Sequence, residues 1–152
     1  MVVSIKVTIT INATAEKVWV IFMNPDYLKH WLTNFISIEH LSGKKGDVGS
    51  ESKLKFLERG KEMEVIEKVL QVVPNEQYSF KMLNEKMETL VNVRLISLGQ
   101  RTDIIQIVQF TPKGIFMKLM MPLLKGLMKK RISKEFQKLK DVIENNQKYK
   151  IV

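Results

Sequence analysis

The sequence predicts an α+β fold in which a curved, seven-stranded antiparallel sheet wraps a long C-terminal helix. Three observations predict it. The chain opens with a strand of faultless period two, continues through a run of β segments separated by turn residues, and ends in a helical repeat.

In the first element, Ile5, Val7, Ile9 and Ile11 alternate with Ser4, Lys6, Thr8 and Thr10, the pattern of a half-buried strand. Asn12 or Thr14 can then cap a helix carrying Val18, Trp19, Phe22 and Met23, which Asn24-Pro25-Asp26 stops. A second short helix runs from Tyr27 to Leu32. From Phe35 to Thr111 strands are expected at about 35–41, 50–58, 61–73, 77–84, 87–98 and 101–111. The intervening breaks, such as Arg59-Gly60 and Pro74-Asn75, are too short for crossover helices, so neighbouring strands are antiparallel hairpins.

After Lys113-Gly114 two apolar stripes follow. Phe116, Leu119, Met120, Leu123 and Leu127 form the first, and Met128, Ile132, Phe136, Leu139 and Ile143 the second. At helical spacing they point in different directions. A bend or break between Pro122 and Gly126 would align them, giving a short helical piece and then a long helix ending near Asn145-Asn146. No linker or repeat divides the chain, so residues 1–152 are expected to form one domain.

Composition narrows the chemistry. With 45% apolar and 27% charged residues the chain has the balance of a soluble globular protein. It has no cysteine, which excludes disulfides, thiolate nucleophiles and Cys-built metal sites. The N-terminus lacks the pattern of a secretory signal, and Ile115–Met128 is interrupted by Lys118, Pro122 and Lys125. A cytoplasmic protein is expected, peripheral at the membrane at most. The net charge of +9 is local: residues 1–112 carry 14 Lys/Arg against 13 Asp/Glu, and residues 113–152 carry 11 against 3.

The element order and particular residues resemble the START-like (SRPBCC) superfamily of helix-grip proteins, and within it the polyketide cyclase/dehydrase branch. The matching residues are Ile11-Asn-Ala13 with Glu16-Lys17-Val18-Trp19, then Asn24-Pro25, Trp31 and the Gly46…Gly49-Ser50 turn. Gly60, Glu67-Lys68-Val69, Pro74, Thr102, Phe110-Thr111-Pro112 and Phe136-Gln-Lys-Leu139-Lys140 continue the series. The resemblance implies an internal cavity for a hydrophobic or amphipathic molecule such as a lipid, quinone or polyketide, with catalysis in only some members. It also implies a mobile hairpin at the cavity mouth over Gly43–Gly49, where no phosphate-loop pattern exists.

Glu67 is the most informative acid. If Met63, Val65 and Val69 face inward, period two carries Glu67 inward with them. A carboxylate there must be paired, hydrated or protonated, and could receive a ligand hydroxyl or transfer a proton. The bland alternative is a twist that takes it to solvent or to a Lys/Arg partner. Gln106 is the polar interruption on the face shared by Thr102, Ile104, Val108 and Phe110. Trp31, Phe80, Met120, Leu124 and Met128 complete the expected lining, the methionines suiting a deformable entrance.

His30 and His40 are the only histidines and are expected to have structural or surface roles; neither a metal nor a cofactor is expected. Lys118, Lys125, Lys129, Lys130 and Arg131 read first as a solvated basic helix face. Lying beside apolar residues, they also fit peripheral contact with an anionic membrane better than nucleic acid, for which no motif appears. The leading functional expectation is a noncatalytic binding or carrier protein for a hydrophobic small molecule. The alternatives are a cyclase/dehydratase-type enzyme using Glu67 for proton transfer, and a protein–protein module using the helix stripe.

Overall fold

The computed structural model describes residues 2–145. Strand β1 (Val3–Ile11) leads into helix α1 (Ala15–Phe22), a 3-10 turn (Pro25–Tyr27) and the single turn of helix α2 (Leu28–Trp31). Strands β2 (Phe35–Ser42), β3 (Glu51–Glu58), β4 (Lys61–Val73), β5 (Gln77–Leu83), β6 (Met87–Ser97) and β7 (Thr102–Pro112) follow, then helix α3 (Gly114–Glu144). The second short helix is thus smaller than expected: Pro25 opens a 3-10 turn and α2 holds only four residues. Asn145 follows α3, and Asn146 lies outside the described residues.

The seven strands form one antiparallel sheet in the order β1-β7-β6-β5-β4-β3-β2. β2 through β7 make a meander, and β1 adds beside β7. Strands adjacent in sequence, β1 and β2, therefore lie at opposite edges. The segment between them, carrying α1 and α2, must cross the sheet, and it packs with α3 over one face. This is the START-like helix-grip fold.

Local chemistry sets the corners. Thr14 caps α1 through its hydroxyl, which accepts from the Lys17 amide. Arg59 and Gly60 both adopt positive φ, closing the β3–β4 hairpin with the backbone a two-residue turn requires. At Gly43 (φ 76°) an added Cβ would lie 2.9 Å from the Ser50 backbone, so the β2–β3 loop closes only around glycine. Register shifts in β2, and in β4 between Val69 and Gln71, bend the sheet.

α3 corrects the expected break. It runs unbroken from Gly114 to Glu144 with Pro122 inside it. Pro122 lies on the exposed side, where the carbonyl of Lys118 freed by the missing N–H can meet solvent. The two stripes are not aligned by a bend. Met121, Phe136, Leu139, Val142 and Ile143 are buried, while Phe116, Leu119, Leu123 and Leu127 face outward.

Polar contacts hold the helix at several points along its length. Near its C-terminus, the Asn12 amide donates to Glu144 at 2.8 Å and the Lys140 ammonium to the Thr10 carbonyl at 2.7 Å. Midway, Arg131 donates to Glu58 at 2.6 Å and to the Thr33 carbonyl at 3.1 Å. The Thr33 amide in turn donates to Glu135 at 2.8 Å. Arg131 is therefore a clasp between α3 and the β3 end.

Candidate functional site: a polar pair at the seam of two apolar clusters

The core divides. The main cluster joins β1, β4, β5, β6, β7, α1, α2 and α3, with Ile11, Val18, Ile21, Ile104, Phe136 and Leu139 fully buried. A second cluster lies over β3 and β4, built on Leu54, Phe56 and Val65 with Phe35, Ile38 and Met63 around it. Leu32 and Met82 touch both.

Glu67 sits at the seam. On β4 it follows Val65 of the second cluster and precedes Val69 of the main one, on the same face. The inward reading of Glu67 is therefore the one the fold adopts. Its partner is not a cation: the Tyr78 hydroxyl donates to it at 3.1 Å. Although the residue keeps some solvent contact, its carboxylate end is surrounded by protein. Burial raises its pKa above the usual carboxylate range, and the tyrosine hydrogen bond only partly offsets this. The Tyr78 phenol is pushed up, first by burial and then by the Glu67 charge and hydrogen bond.

Tyr78 was absent from the expected lining. It holds Phe80 against its ring at a centroid distance of 5.1 Å and meets the edge of Phe22 at 6.2 Å. The signal was present in β5, where Tyr78, Phe80 and Met82 share the inward face at period two. Phe22 stacks on Trp31 at 5.7 Å, so an aromatic chain runs from α2 to the acid. Trp31 is buried in the main core, and among the described residues its indole N–H has no hydrogen-bond acceptor.

The remaining expected residues divide by depth. Val65 is buried in the second cluster, with Met63 half-buried beside it. Phe80, Leu124 and Met128 are half-buried and pack against the main core. Met120 is half-buried on the flank of α3, outside the set packed on the core. Gln106 pairs across the strands with Val7 and Val93, both buried, and no side-chain hydrogen bond engages its amide among the described residues. Inward-facing apolar side chains on both β4–β5 and α3 thus keep partial contact with solvent. The helix packs chiefly along β1 and against α1 and α2.

A separate groove of about 430 Å³ lies at the outer edge, lined by Val2, Val3, Ser4, Met121, Pro122 and Lys125. It contains none of the polar residues of the seam. The His40 ring nitrogen Nε2 pairs with the Gly43 carbonyl at 2.7 Å, and the His30 ring lies 6.1 Å from that of Tyr27. Among the described residues no three His, Asp or Glu side chains converge to hold a metal, and no helix is long and apolar enough to cross a membrane.

Comparison with known proteins fits this geometry. The sequence matches the family described as polyketide cyclase / dehydrase and lipid transport over residues 2–144, and the chain belongs to that family. A search of the curated proteins finds no match. Similar solved structures include the Zhui aromatase/cyclase from a Streptomyces species (13% identity, TM-score 0.79, covering 95% of this chain and 94% of that one). A protein of unknown function from Staphylococcus aureus is also similar (16%, 0.80, 97% of each chain). So is a START superfamily protein from Mycobacterium smegmatis (16%, 0.76, 93% of this chain and 97% of that one). At these identities the likeness concerns the fold.

Proposed function

We propose that residues 1–152 act as one binding unit, a carrier for an apolar or amphipathic small molecule of the lipid, quinone or polyketide-like kind. The observation that carries this reading is the Glu67–Tyr78 pair at the seam of two apolar clusters, beside half-buried Met63, Phe80 and Met82. Such a surface takes an apolar body and offers a polar anchor for one end of it. Glu67 can accept a ligand hydroxyl or, when protonated, donate to a carbonyl; the Trp31 N–H on α2 and the Gln106 amide on β7 are further polar groups of the elements around the main cluster. The protein would work in the cytoplasm and peripherally at the membrane.

A cyclase/dehydratase-type enzyme is the second reading. One observation favours it: burial raises the Glu67 pKa, which makes its carboxyl a stronger proton acceptor than an ordinary one. The family description fits either use.

Native mass spectrometry of the freshly purified protein tests the carrier. The reading predicts a co-purifying small molecule, retained at least in part by Glu67→Gln. With a polyketide-like substrate, turnover by the wild type that disappears in Glu67→Gln would favour the enzyme instead.

A further inference from the structure

The outward face of α3 has no role in the site. At about 100° per residue, Ile115, Phe116, Leu119, Leu123 and Leu127 fall in one sector, opposite the buried Met121, Phe136, Leu139 and Ile143. The five outward side chains are between 59% and 77% exposed. Five large apolar groups left in water along one helix face form a contiguous patch of the kind that marks an interaction surface.

The charges around this stripe are all of one sign. Lys130 and Lys134 extend the line of the stripe itself toward the C-terminus, whereas Lys118, Lys125 and Lys129 lie turned toward the buried side, Lys125 lining the groove with Val2 and Val3. All five are exposed, and none is in an ion pair among the described residues. No Asp or Glu occurs between Asp103 and Glu135. A second copy packed face to face would bring lysines against lysines with no acid to offset them. An anionic bilayer meets both features, because apolar side chains enter the headgroup–acyl boundary while the ammonium groups contact phosphates.

We infer that the outward face of α3, from Ile115 to Lys134, docks the protein on anionic lipid bilayers. The inference stands apart from the cargo reading, since none of these side chains belongs to the seam. Flotation of the full chain with vesicles of phosphatidylcholine alone, or with about one-third phosphatidylglycerol, tests it. The wild type is expected to float with the anionic vesicles and far less with the neutral ones. Leu119→Asp with Leu123→Asp should abolish flotation without changing the thermal midpoint, because both residues are exposed. Lys130→Glu with Lys134→Glu, which leaves the apolar stripe intact, should weaken anionic partitioning roughly twentyfold or more.

No flotation of the wild type overturns the proposal, as does equal flotation of either folded variant. A soluble dimer that Leu119→Asp with Leu123→Asp dissociates, in the absence of vesicle binding, would assign the face to a second copy instead.

Discussion

The Tyr78 hydroxyl donates to the Glu67 carboxylate at 3.1 Å although the two residues are not paired in the sheet. Glu67 lies opposite Met82, and Tyr78 opposite Val72. The bond spans the register shift between Val69 and Gln71, where β4 bends. One acid is thereby held on the concave face by a single neutral donor, and that arrangement has consequences for both stability and binding.

Stability should depend on the protonation of Glu67. Its folded pKa lies above its unfolded value, so the folded state binds the proton more tightly. The associated stabilisation is fully present below the ordinary value near 4.5 and is lost as pH rises through the raised one. Glu67→Gln should therefore gain stability on the wild type at neutral pH and lose that advantage under acid conditions. Urea unfolding of both proteins across that range measures it; a constant difference would contradict the assignment. Glu135, also raised by burial against the pull of Thr33 and Arg131, is common to both proteins and cancels in the comparison.

Removing the tyrosine donor should be felt through the acid. Tyr78→Phe leaves a buried carboxylate without its partner, at a cost of about 1–3 kcal/mol at neutral pH. In the Glu67→Gln background the same change should cost less, because no charge is then stranded. A double-mutant cycle on unfolding free energies reads the difference, and additive effects would deny the coupling.

Arg131→Ala should loosen the clasp between α3 and the β3 end. The pair with Glu58 is about one-third exposed at each residue, so screening limits its contribution to about 1 kcal/mol. Hydrogen exchange should accelerate at the Thr33 amide, which donates to Glu135, and around Glu58. Unchanged protection there would show that the clasp is not holding these segments.

Pro122→Ala tests the unbroken helix. If α3 is continuous and Pro122 lies on its outer side, alanine restores a helical N–H and raises stability by up to about 3 kcal/mol. A lower thermal midpoint would mean that the proline shapes a bend the fold needs.

The sequence reading and the structure part company for identifiable reasons. The strand at Ser4–Ile11, the hairpin at Arg59-Gly60 and the inward side of Glu67 are written in local periodicity and turn chemistry, and each was legible. The Tyr78–Glu67 bond was not, because nothing local marks the register shift it spans. Arg131 looked like a surface cation because its partners Glu58 and Thr33 are 73 and 98 residues away in sequence. Two stripes on α3 were correctly seen to diverge. Periodicity alone, however, cannot distinguish a bent helix with one buried face from a continuous helix with an apolar side turned to water.

The central claim is that the seam around Glu67 and Tyr78 takes up an apolar molecule with a polar end. Methyl-labelled methionine NMR during titration with naphthol, a hydroxylated aromatic probe, tests it most directly. Met63, Met82 and Met128, half-buried and facing inward, should shift with saturation, and Glu67→Gln should weaken the response. Absence of any saturable shift at these three methyls, or shifts confined to the flank residue Met120, would contradict the account.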